Sequence, residues 1–120
     1  SVYTGTVTAQ IGLIEKYDYN RIRLTVVPTI SDTDASLQEL RKLRIWSYDT
    51  HYFNAGDIVR IYGRFFLLSP PSSIGQPDYS RHMWLDGIGA TGIPYELRVV
   101  KLVSNEGRFY TQILSRLEDY

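Results

Sequence analysis

Basic side chains and aromatic rings share one face in each of two stretches of this 120-residue chain, and a third stretch carries an arginine pair. Along residues 42–48 a period of two sets Lys42, Arg44, Trp46 and Tyr48 on one side, with Leu43 and Ile45 on the other. Arg21 and Arg23 share one side of the stretch 21–30, opposite Ile22, Leu24 and Val26. Arg60, Tyr62, Arg64 and Phe66 share one side of the stretch 57–68. A guanidinium is a planar fork that matches phosphate oxygens and stacks on rings. Indole and phenol rings offer flat faces on which bases stack whatever their identity. Residues of these types suit a nucleic-acid strand, with phosphate contacts that position the strand and do not read it. The competing reading is a solvated strand face whose rings pair across neighbouring strands. For the 60–66 set core packing competes as well, because its alternate face contains Gly63 and is thinly apolar.

Other chemistries have little behind them. The chain has no cysteine, which removes disulfides, thiolate zinc sites and thiol nucleophiles. His51 and His82 are its two histidines, and neither sits in a metal-ligand motif. Asp78 and His82 are four residues apart on an expected helix, where a surface pair or a carboxylate favouring the helix dipole is the better account. No nucleophile, base and orienting group can be assembled. We therefore expect no catalytic residues, no metal and no cofactor. The string Gly87-x-Gly89-x-x-Gly92 copies a dinucleotide fingerprint, but it follows a helix and leads into a strand, the reverse of what pyrophosphate binding needs.

These side chains need a scaffold, and the composition says which kind. Eleven Ile, nine Thr and eight Val stand against four Ala, which favours pleated sheet over helix. Ten Arg stand against three Lys, yet Lys+Arg and Asp+Glu number 13 each, so a globally basic surface is excluded and only local patches remain. Strands are expected over 2–16, with an interruption at Gly12, then over 21–30, 42–48, 57–68 and 95–103. A short helical turn is expected near 37–40, and a helix from Pro77 or Asp78 to about Asp86, stopped by Gly87. Residues 109–117 have helical spacing through Phe109, Ile113, Leu114 and Leu117. The expected fold is a mainly β, five-stranded, OB-fold-like Greek-key barrel over 1–108, with a C-terminal helical segment over 109–120. A first strand bent at Gly12 serves both halves of such a barrel. The helix before the fifth strand is out of place for an OB-fold, whose usual helix follows the third, and an SH3-like barrel is the alternative. The absence of an initial Met suggests a piece of a longer chain, and no stretch is long and apolar enough for a membrane helix.

One segment goes beyond a generic barrel. Gly56-Asp57-Ile58-Val59-Arg60-Ile61-Tyr62-Gly63 is followed by Pro70-Pro71, Gly75, Pro77-Asp78-Tyr79 and then Leu85-Asp86-Gly87-Ile88-Gly89-Ala90-Thr91-Gly92. This resembles the N-terminal extracytoplasmic domain of the ComEC family, the DNA-uptake channel proteins of natural competence. The segment departs from the family pattern at Pro77, where phenylalanine is common, and the first fifty residues match only in their pattern of strands. The resemblance implies an OB-fold tethered to membrane helices, facing the periplasm or cell exterior, that receives single- or double-stranded DNA beside other competence proteins. It also implies that 109–120 leads toward the next membrane helix. Arg21, Arg23, Lys42, Arg44, Trp46 and Tyr48 are the expected contacts, with Arg60 and Arg64 ranked second. A structural insert that braces membrane helices or docks a partner protein is the other reading, and electroneutrality favours it.

Overall fold

Threonine and β-branched residues alternate through the first fifteen-residue element, β1 (Val2–Lys16), and the rest of the sheet is built on it. The computed structural model describes residues 1–18, 20–29, 33–48, 53–68 and 78–103. Four more strands follow: β2 (Arg21–Pro28), β3 (Leu43–Tyr48), β4 (Ile58–Leu67) and β5 (Ala90–Lys101). Two short helices accompany them, α1 (Ala35–Gln38) and α2 (Asp78–Leu85). The strands close into a barrel in the order β1-β2-β3-β5-β4, an OB-fold-like architecture. All neighbours run antiparallel except β3 and β5. The helix α2 sits between β4 and β5, where the sequence places it. The expected 109–117 helix, the Pro70-Pro71 run and His51 lie outside the described residues.

β1 pairs with two partners. Residues Val2 to Gln10 face β4, while Ala9 to Lys16 face β2, and the register slips between Ile11 and Leu13. That slip is a bulge at Gly12, where the sequence predicts a bend. A Cβ at Gly12 would meet only the Thr25 carbonyl, at an ordinary 3.5 Å. No close contact at this bend therefore requires glycine.

Ahead of Ala9, β1 no longer has a β2 residue opposite it, and backbone groups there need other partners. Thr33 and Asp34 supply them. The Thr6 N–H donates to Asp34 Oδ2 at 2.9 Å, and Asp34 N–H returns a bond to the Thr6 carbonyl at 3.0 Å. The Thr8 N–H donates to Thr33 Oγ1 at 2.9 Å, while the Thr8 carbonyl accepts from Thr29 N–H at 2.7 Å. The Asp34 carboxylate, which also takes the Tyr3 hydroxyl at 3.2 Å, and the Tyr3 ring lie where a side chain on residue 5 would be, so Gly5 has a steric reason.

Inside the barrel, alternate residues of β1 to β4 are buried: Val7 and Ile11, Leu24 and Val26, Leu43 and Ile45, Val59, Ile61 and Phe65. Each contributes about 1.5–3 kcal/mol of transfer free energy. On β4 the core face is the one that carries Gly63, so the Arg60–Phe66 set lies on the outer face. The barrel's lower end is tied by Asp57, which is fully buried. Its carboxylate accepts from Asn54 N–H at 3.1 Å and Val103 N–H at 2.9 Å, and its backbone carbonyl accepts from Ile11 N–H at 2.9 Å.

β5 begins at Ala90, five residues ahead of the expected Tyr95, because Ala90, Thr91 and Gly92 pair in parallel with Leu43, Arg44 and Ile45. No local pattern announces that pairing.

Asp57→Ala strips one buried and one half-buried N–H group of their acceptor and should lower unfolding free energy by about 3 kcal/mol in urea titration. Gly12→Ala should stay within about 0.5 kcal/mol of the parent chain, and a large loss would show that the bend does require glycine.

Candidate nucleic-acid interface

The register of β2 on β3 decides which of the expected residues meet. Arg21 stands opposite Tyr48, Arg23 opposite Trp46, and Thr25 opposite Arg44, all on the barrel's outer face. Glu15 of β1 stands opposite Arg23 on its other side. Two strands thus bring Arg21, Arg23, Trp46 and Tyr48 into one patch, as the alternation predicts, and the β1–β2 turn adds Tyr17.

The patch is held by ring and charge contacts. Tyr17 and Trp46 tilt at 59° with centroids 5.0 Å apart. The Arg23 guanidinium lies 5.0 Å from the Tyr17 ring centre and 5.7 Å from that of Trp46, within cation–π range. It is also gripped by Glu15: Nε donates to Oε1 at 3.0 Å and Nη2 to Oε2 at 3.1 Å. This fork fixes the plane of Arg23 and neutralises much of its charge. Arg21 lies 5.5 Å from the Trp46 ring centre and pairs with Asp18 at 2.8 Å, both side chains more than half exposed. Exposed pairs of that kind contribute little and exchange partners readily. Arg21 is therefore the cation of this patch best able to take a phosphate.

Lys42 and Arg44 have a different occupation. Lys42 Nζ donates to the Asp86 carbonyl at 3.2 Å, and Arg44 Nη2 lies 3.7 Å from the Asp86 carboxylate. Both meet the C-terminal end of α2, where cations complement the helix dipole. That end is a Schellman motif: Ile88 N–H bonds to the Met83 carbonyl and Gly87 N–H to that of Trp84, each at 3.0 Å, with Gly87 at φ 86°. The glycine string is accounted for by this cap and by the close packing of β5. Arg44 Nε is buried without a hydrogen-bond partner.

Arg60 and Arg64 form a separate patch on β4. Arg60 is the cross-strand partner of Arg98, Tyr62 of Glu96, and Arg64 of Ile93. Arg64 is exposed, with its guanidinium 5.6 Å from the Phe66 ring centre.

Between these patches the wall opens. Pairing of β3 with β5 ends at Ile45–Gly92, after which β3 continues along β2 while β5 follows β4. The register of β5 on β4 slips between Tyr62 and Gly63, leaving Tyr95 as the extra residue of a bulge beside Pro94, whose missing N–H suits that place. The wedge between the strands is a hollow of about 450 Å3, lined on the β3 side by Trp46, Ser47 and Tyr48 and on the β5 side by Ile93, Pro94, Tyr95 and Leu97, with Arg21 at its rim. Tyr95 packs on Tyr62, centroids 5.7 Å apart. The periodicity reading missed Tyr17 and Tyr95, one as a turn residue and the other as a strand start. A tyrosine-rich count is the only sequence signal that points to them.

No family model, curated protein or solved structure matches this chain. The patch and the hollow therefore have to be interpreted from their own chemistry.

The Arg23–Glu15 fork should show a coupling of about 1 kcal/mol in a double-mutant cycle using Arg23→Gln and Glu15→Gln, because bidentate geometry and partial burial set it above ordinary surface pairs. A coupling indistinguishable from zero at low salt would mean that the two side chains do not hold each other.

Proposed function

We propose that this domain binds DNA without sequence preference, as the extracytoplasmic module of a ComEC-like DNA-uptake channel in a membrane. The observation that carries the reading is the juxtaposition of Trp46, Tyr48 and Tyr17 with Arg21 and Arg23 on the β2–β3 face of an OB-fold-like barrel. That face is where such barrels take oligonucleotides. The resemblance of residues 56–92 to the ComEC family supports the cellular setting: a tether to membrane helices, an outward orientation and competence proteins as neighbours. Bases stack on the exposed faces of Trp46 and Tyr48, and Arg21 releases Asp18 to hold a phosphate. Arg23 orients the rings, and Lys42 and Arg44 hold α2 against the barrel while adding positive potential. With 13 cations against 13 anions, binding by the isolated domain is weak and steeply salt-dependent.

A second reading, docking of a partner protein, is favoured by one specific feature. Arg21, Arg23 and Arg44 are all paired with carboxylates of this chain.

Fluorescence anisotropy with labelled oligonucleotides separates the two. Trp46→Ala should weaken binding about ten-fold or more with little change in the salt slope. Arg21→Ala should reduce the slope of log affinity against log salt by about one. Binding that ignores both substitutions would move the contact surface to Arg60 and Arg64. No binding by the folded domain at low salt would leave the docking role.

A further inference from the structure

We propose that the hollow between β3 and β5 is a base pocket: it takes one unstacked nucleobase of a single strand, with the adjoining phosphate held by Arg21. This inference rests on the DNA-binding reading and makes that site selective for single strands.

Four large side chains around this one opening stay in water. Tyr48 is 60% exposed, Tyr95 58%, Ile93 53% and Trp46 36%. Such a concentration of apolar surface around a concavity marks a site that something covers. The opening is built into the topology, because β3 must follow β2 and β5 must follow β4 once they part at Ile45–Gly92. The bulge at Tyr95 turns an extra ring toward it, and the Tyr62 contact holds that ring from behind.

The lining selects the class of occupant. Its rings and aliphatic side chains suit a flat, largely apolar body, and the Ser47 hydroxyl and backbone groups suit one with polar edges. Among the described residues the lining carries one cation, Arg21, and no carboxylate. Arg64 is the cross-strand partner of Ile93 but is not part of the lining. A planar ring with polar edges and an attached anion is a nucleotide. At about 450 Å3 the hollow admits one nucleoside and excludes a base pair still stacked in duplex, so entry requires a base already free of its partner.

The test uses the 120-residue chain and an oligothymidylate carrying a single 2-aminopurine, followed by anisotropy through an end label and by 2-aminopurine emission. Binding should change the 2-aminopurine emission, and a duplex of the same length should bind at least ten-fold more weakly. Tyr95→Ala and Tyr48→Ala, both at exposed positions, should each weaken single-strand binding about ten-fold and abolish the emission change. Tyr95→Phe should retain both. If Trp46→Ala abolishes binding while Tyr95→Ala and the emission are silent, the pocket is refuted and the β2–β3 face stands. Equal affinity for the duplex also refutes the pocket. If no oligonucleotide binds at low salt, both readings fall together.

Discussion

Everything in this molecule follows from one strand having two neighbours. β1 hydrogen-bonds to β4 over its first half and to β2 over its second; the two pairings overlap at Ala9 and Gln10, and the bulge at Gly12 follows within the β2 half. Closing a five-stranded sheet removes its edges, but a strand that changes partner halfway leaves a gap in the ladder. Thr29, Thr33 and Asp34 fill that gap with hydrogen bonds to Thr6 and Thr8. A backbone obligation thus accounts for residues that a list of site candidates would pass over.

The same constraint appears on the opposite wall and is resolved differently. β3 and β5 share only three residue pairs before each is drawn away by its longer partner. No threonine or aspartate of the described residues fills the wedge that results. It is walled instead by rings and aliphatic side chains exposed to solvent. One gap is satisfied internally and is structural; the other is left open and shaped, and it holds the functional interest of the molecule.

Charge pairing refines what the surface can do. The arginines expected to meet phosphates are not equivalent once their neighbours are known. Arg23 is gripped by a two-oxygen fork and two rings, Arg44 reaches the end of α2, and Arg21 is held by an exposed carboxylate and one ring. A positioning group, a brace and a phosphate ligand thus share one residue type. The motif around Gly56-Asp57 and Gly87 is largely structural, since Asp57 ties three segments and Gly87 closes α2.

Local signals determined the extent of β1, the helix before β5 and the outward set Arg44, Trp46 and Tyr48: start and stop residues bound the helix, and a residue's face on a strand is a local property. The bend at Gly12 was legible from the break in alternation there, although no close contact at that position requires glycine. The early start of β5 was not legible: Ala90 to Gly92 are extended only because β3 lies beside them. Nor could the sequence show that Gly63 belongs to the core face, that Glu15 occupies Arg23, or that Asp86 engages Arg44. Those depend on register between strands distant in the chain. Tyr95 illustrates the limit best. Its identity is in the sequence, but its orientation is set by a one-residue slip between β4 and β5, and that slip exists only in the closed barrel.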